Sequence, residues 1–279
     1  MATTLAVLNG LLPLGYLVAL LVYLVVFVQA ERGVGVGATA FTWGLVAVHA
    51  AYLILSGMAY GHIPIANTWE SLTFIAFALV LVYLILEWQM GDRATGAFLI
   101  SGALFLQILS TAFITHTREV PEILRSPMFG IHVTTAMLGY VALAVSAIYG
   151  VMYLVQYRQL KRRRVGLLFE RLPNLETLSR LNARSLALGW LGLTVAILAG
   201  SVWAITLARS GQLDVNLVLD PKFLLTVSLW ALYGVCLGGL YVFKWPNSTM
   251  ASVSVLAFAL MIASSLLVTL GISSFHDFS

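Results

Sequence analysis

The chain has 279 residues, of which 61% are hydrophobic and only 9% are charged. Soluble domains carry charged residues at roughly 25%, and a soluble fold cannot hide this much apolar surface, whereas a bilayer solvates it. The composition therefore excludes a water-soluble enzyme, a nucleic-acid reader and a disordered scaffold. The net charge is +4, but the basic residues are gathered in one place and bear on topology more than on acidic partners. The single cysteine, Cys236, lies in an apolar run, so neither an internal disulfide nor a CxxC motif exists.

A helix needs about 20 apolar residues to cross the hydrocarbon core. Eight stretches meet that length, at roughly 5–29, 38–58, 68–88, 94–115, 129–157, 185–208, 223–243 and 250–272. The opening MATT has no positive charge, and the apolar run from Leu5 to Val28 exceeds a signal-peptide core of about 7–15 residues. It is read as a retained first span. Open sheet edges are not tolerated in lipid and no alternating barrel pattern appears, so the expected fold is all-α. No internal repeat interrupts it, and residues 1–279 are expected to form a single transmembrane helical domain.

Orientation follows from Lys and Arg in alternate loops. One set holds Arg32, Arg93, Arg158, Lys161, Arg162, Arg163, Arg164, Arg171, Arg180, Arg184 and Lys244; the other holds only Arg118, Arg125, Arg209 and Lys222. The first set is expected in the cytoplasm, which puts both termini on the outer, periplasmic side. The basic loop 158–184 is the longest cytoplasmic segment, and its LKRRR run suits anionic headgroups. Leu175, Leu178 and Leu181 recur every three residues, which predicts a short helix lying on the membrane surface. No aromatic platform accompanies these charges, so nucleic acid is not an expected partner.

Ionisable groups at mid-depth are expensive and mark function. His49, in the middle of span 2, is the exception in a chain whose Glu70, Glu87 and Lys222 fall near span ends. It lies about nine residues from the outer end of its span, roughly 13 Å deep at 1.5 Å per residue. It either hydrogen-bonds a neighbouring helix, with Gln107 in span 4 a candidate partner, or binds a ligand. Buried carboxylates and discontinuous helices are missing, which disfavours an ion-coupled carrier. His62, His116, His132 and His276 all map to the outer side. No HExxH or CxxC supplies a zinc site, whereas haem iron needs only one or two histidines and an apolar slot.

His132 opens span 5, followed by Thr135, Ala136 and Gly139 on the same helix face. That smooth face suits close helix packing with the histidine bonded to backbone, or ligation from a helix end. His276 lies just beyond the last span, so the two rings can approach one iron from opposite sides. In the outward loop GHIPIANTWESL, Asn67 is a cap for span 3 and Glu70, three residues on, completes a capping box. Trp69 between them is an interfacial anchor or a ring for stacking on a ligand. Asp220-Pro221-Lys222 reads as a helix start with Pro in the first turn.

These strings resemble the cytochrome c assembly membrane proteins of the CcsA/ResC type and their shorter HemX-like relatives. The resemblance rests on His49, GHIPIANTWESL at 61–72, IHVTTAMLGYVAL at 131–143, LPNLETLSRLNAR at 172–184, GSVWA at 200–204, DPKFLLTVSLWALYG at 220–234 and SSFHDF at 273–278, in family order. It implies a multi-pass protein of the bacterial inner membrane that handles haem. His132 and His276 would be paired axial ligands to non-covalent haem b near the outer face, and His49 an intramembrane haem contact. Asn67, Trp69, Glu70, Trp203 and Asp220 are the further cofactor-site candidates. The family's tryptophan-rich segment presents haem to an apocytochrome c, with a ResB/CcsB-type partner sharing the attachment.

From Trp203 to Pro221 this chain reads WAITLARSGQLDVNLVLDP, so Trp203 and Asp220-Pro221-Lys222 match while the intervening tryptophans are gone. Aromatic rings supply the flat area that grips a macrocycle, so any enzymatic role is at most a share in a synthase complex, with no catalytic residue assigned. The expected function is haem handling in c-type cytochrome biogenesis. The alternative is a HemX-like regulator or scaffold of haem metabolism without transfer or ligation.

Overall fold

A computed structural model describes residues 1–29, 32–114, 126–163, 166–210 and 221–271. Regular structure among them is helical throughout: α1 (Ala2–Gln29), α2 (Arg32–Tyr60), α3 (Thr68–Met90), α4 (Gly96–Phe113), α5 (Pro127–Lys161), α6 (Leu167–Arg171), α7 (Leu175–Arg209), α8 (Pro221–Tyr241) and α9 (Asn247–Gly271). Eight of these, all but α6, are long and apolar enough to cross a membrane. The reason is the solvent: a helix pairs its own backbone groups, which lipid cannot do. His116, Asp220 and His276 lie outside the described residues.

The described residues fall into two compact units, the first comprising Met1–Val120 with Gln159–Asn174, the second Pro121–Arg158 with Leu175–Ser279. In the first, α1 packs on α2 and α4, and α3 on α2 and α4. α3 ends where the backbone turns left-handed at Gly91 (φ 67°), whose N–H closes on the Glu87 carbonyl at 2.8 Å. Glycine takes that conformation without steric cost.

In the second unit, α5 and α7 cross through glycines. A Cβ at Gly192 would come 2.9 Å from the Gly139 Cα, and one at Gly189 would lie 3.1 Å from the Gly139 carbonyl oxygen. Lipid offers no hydrophobic drive between helices, so close backbone approach supplies the association. In the same crossing, one N–H of Asn182 is shared between the Ser146 carbonyl at 2.7 Å and the Ser146 hydroxyl at 3.1 Å, and the other donates to the Ser254 hydroxyl of α9 at 2.7 Å. α8 and α9 complete the unit around Leu143, Leu186, Tyr233, Cys236 and Met261.

The expected surface helix at Leu175–Leu181 is instead the first two turns of α7, continuous with the span. Leu178 and Leu181 are buried, and Asn182 ties that end to α5 and α9. Three-residue spacing of leucines fits an interfacial helix and a packed one equally; the buried asparagine decides for packing.

Candidate functional site

His49 sits in the core of the first unit, 0% exposed, within a line of hydrogen bonds that crosses all four helices. Tyr16 on α1 meets Nδ1 at 2.8 Å, and Thr73 on α3 meets Nε2 at 3.0 Å. Thr73 donates to the Gln107 side-chain oxygen at 2.7 Å, and Gln107 donates to Thr111 at 3.0 Å. Thr111 then donates back to Asn9 on α1 at 3.2 Å. Donor and acceptor roles follow in order. A carboxamide oxygen only accepts, so the Thr73 hydrogen is committed to Gln107, and Thr73 must accept from Nε2–H. Nδ1 is then the acceptor of the Tyr16 hydroxyl. His49 is a neutral imidazole with both nitrogens engaged, and Gln107 reaches it through Thr73 rather than directly.

His132 is placed differently. Its Nδ1 lies 2.8 Å from the carbonyl oxygen of Ala196 on α7. A carbonyl accepts, so Nδ1 carries the proton and Nε2 is left with its lone pair. The ring seats against Gly200, where a Cβ would fall 2.6 Å from the imidazole Cε1 and Nδ1. Trp203, one turn further, stacks on it with centroids 6.4 Å apart and planes at 29°. Trp203 in turn packs on Phe129 at 5.6 Å and is only 3% exposed. It therefore supports the histidine from below, with no open face for a macrocycle. Ala196 and Gly200 were not apparent as site residues from sequence; the signal was the glycine four residues after Ala196 in GSVWA, on the carbonyl's own helix face.

The loop between α2 and α3 holds its candidates in hydrogen-bonded positions. Asn67 caps α3 by accepting from the Glu70 N–H at 2.9 Å. The Glu70 carboxylate reaches back to the Ala66 N–H at 2.9 Å, one residue beyond the position a standard capping box uses. Trp69 lies against Phe113 at 4.9 Å, and its carbonyl accepts from Ser110 at 2.8 Å. His62, in the same loop, donates from Nδ1 to the Ile63 carbonyl at 2.9 Å, with Glu70 at 3.9 Å. Its buried Nε2 has no hydrogen-bond partner among the described residues.

A second cluster escaped the sequence reading. Glu87, which looks terminal by position, is buried. One carboxylate oxygen accepts from Tyr23 at 2.5 Å and Tyr83 at 2.6 Å; the other accepts from Thr39 and from Arg93 Nε at 3.1 Å. Four donors saturate the two carboxylate oxygens, so the buried group has no acceptor position left unpaired.

A polytopic helical membrane protein that holds one histidine in a fixed tautomer, beside a buried indole at a glycine-lined crossing, is suited to present nitrogen to a metal-bearing ligand. The chain belongs to the cytochrome c assembly protein family, whose model matches residues 65–276. It is similar to Protein HemX of Brevibacillus brevis, at 30% identity over 267 residues, covering 94% of each chain. It is also similar to the cytochrome c biogenesis protein CcsA of Guillardia theta, at 25% identity over 221 residues, covering 72% of this chain and 71% of that one. Protein HemX of Bacillus subtilis (strain 168) is 27% identical over 199 residues, covering 68% of this chain and 69% of that one.

The residues can be tested against haem on their own chemistry. His132 fits: Nδ1–H bonded to a carbonyl is the outer-shell arrangement that orients a ligating imidazole and raises its basicity. His49 does not fit as it stands, because its acceptor nitrogen is occupied by Tyr16.

Proposed function

We propose that this protein binds haem b non-covalently near the outer face of a bacterial inner membrane and serves c-type cytochrome biogenesis, with His132 as one axial ligand. The observation that carries the reading is the 2.8 Å bond from His132 Nδ1 to the Ala196 carbonyl, which leaves Nε2 ready to ligate. Family membership and the CcsA relatives support haem as the ligand. The distribution of Lys and Arg supports an outer position for His132 and for both termini. His276 is proposed as the second axial ligand, and His49 as a deeper contact that engages only when Tyr16 releases it. Asn67, Glu70 and Trp69 shape the outward loop, Trp203 steadies the His132 ring, and Asp220 precedes α8.

When bound, haem supplies the iron and the macrocycle to be handed on; the protein's own part is to hold and orient it. Ala196 fixes the tautomer of His132, Gly200 lets the ring approach that carbonyl, and Trp203 restricts its rotation. A ResB/CcsB-type partner and an apocytochrome c are the proposed recipients. The test is the absorption spectrum of purified protein after haem loading, with His132, His276 and His49 replaced by alanine in turn. A Soret band that weakens in the His132 and His276 variants is expected. No band at all, or a band indifferent to both, overturns the proposal.

A further inference from the structure

Beside the Glu87 cluster, on the first unit, a cavity of about 390 Å³ opens between α2 and the end of α3. This size lies within the roughly 300–1,000 Å³ of small-molecule sites. Arg93 and the indoles of Trp43 and Trp88 are among the residues that line it. Arg93 is bound from behind by its Nε alone, to Thr39 at 2.8 Å and Glu87 at 3.1 Å. Its two terminal nitrogens make no hydrogen bond to a described residue, and its side chain remains 30% exposed. Asp92, the neighbouring carboxylate, turns back on the Ala94 N–H at 2.8 Å.

The guanidinium is thus fixed in direction with its fork left open. Glu87 holds it without competing, because all four of its acceptor positions are taken by Tyr23, Tyr83, Thr39 and Arg93 itself. A fixed guanidinium fork matches phosphate oxygens in pairs. Trp88, 81% exposed, and Trp43, 44% exposed, flank it as rings suited to the headgroup level of a bilayer. Leu84 continues the wall in an apolar direction along the span, which suits an acyl chain and not a free ion. Phosphatidylethanolamine and phosphatidylglycerol present the same phosphodiester to that fork, so recognition falls on the phosphate and not on the headgroup's net charge.

We infer that this cavity is a binding site for a glycerophospholipid of the surrounding leaflet, whose phosphodiester sits on the terminal nitrogens of Arg93 between Trp43 and Trp88. The experiment is native mass spectrometry of the full chain released from mixed micelles, titrated with phosphatidylethanolamine and, separately, with phosphatidylglycerol. One tightly held phospholipid of either type per chain is expected. Arg93→Gln should weaken it by about tenfold, the size of one charge-assisted hydrogen bond, and Trp88→Ala by severalfold through the lost apolar contact of the indole. Trp88→Ala guards against misfolding as the cause, since its exposed ring supports no packing. Unchanged retention in Trp88→Ala overturns the inference. So does retention of diacylglycerol with equal strength, which would make the acyl chains the determinant, or displacement by inorganic phosphate, which would make it an ion site.

Discussion

Gly200 lies directly beneath His132: a methyl group at position 200 would fall 2.6 Å from two atoms of the imidazole. Within α7 the Gly200 N–H points at the same Ala196 carbonyl that His132 uses, so the missing side chain is what lets the ring share that oxygen. Gly200→Ala should therefore push the ring off Ala196, freeing the tautomer and the rotamer together. In an exposed helix the same change would add roughly 0.5–1 kcal/mol of stability. Haem titration by Soret absorbance should show weaker binding in Gly200→Ala with folding intact. Binding equal to wild type would mean that the seat has no role.

Truncating the ring gives a second check. His132→Gly leaves a slot bounded by Gly200 and Trp203, sized for a free imidazole. The Soret band should weaken in His132→Gly and recover on adding imidazole to the buffer. A variant that loses the band and regains nothing would point to collapse of the α5–α7 crossing instead.

Tyr16 and His49 separate a structural role from a ligating one. Tyr16→Phe removes the hydroxyl from Nδ1 and leaves a buried acceptor unpaired, at a cost of about 1 kcal/mol. If His49 serves only to join helices, Tyr16→Phe and His49→Ala should both lower the thermal midpoint in detergent and leave haem affinity alone. If it contacts haem, Tyr16→Phe exposes the ligating nitrogen and should raise occupancy, while His49→Ala lowers it. The ratio of haem to protein in the two variants decides.

Glu87 illustrates what the sequence conceals. By position it falls near the end of its span, and α3 does end three residues later, at Met90. Burial came from partners that no local pattern announces: Tyr23 lies 64 positions away and Thr39 lies 48 away. The eight spans were legible because membrane thickness imposes a length on every one of them. The α3 cap was legible because Asn67 and Glu70 act within one turn. Gln107 was legible as a neighbour of His49, but the Thr73 and Tyr16 links and the Ala196–Gly200 seat were not, since each joins residues from separate helices whose facing sides are set only by packing. Among apolar residues the helical period gives little guidance, because lipid-facing and protein-facing sides look alike.

Replacing Glu87 should register accordingly. Interhelical hydrogen bonds in bilayers average about 0.6 kcal/mol, so loss of all four donors' acceptor predicts about 2 kcal/mol. Glu87→Ala should lower the unfolding free energy by that amount in detergent, with Glu87→Gln losing less because it keeps one acceptor oxygen. A change below about 0.5 kcal/mol in Glu87→Ala would show that the cluster is incidental.

Asn182 provides the sharpest contrast between two readings of one motif. LPNLETLSRLNAR invites a surface helix, whose asparagine would face headgroups and tolerate replacement. Instead Asn182 holds α5 and α9 through its two N–H groups, one shared between the Ser146 carbonyl and hydroxyl and one on Ser254, and Gly150 on α5 leaves room for it, a Cβ there meeting its nitrogen at 3.1 Å. Asn182→Ala should cost about 1 kcal/mol by the same per-bond figure for its two N–H groups, because the Ser146 and Ser254 oxygens then lack their donor. Asn182→Leu should be worse, since the longer apolar chain has to enter space shaped by Gly150 and two hydroxyls. Thermal unfolding of the two variants in one detergent tests the order. Equal stability of Asn182→Leu and wild type would return this segment to the membrane surface.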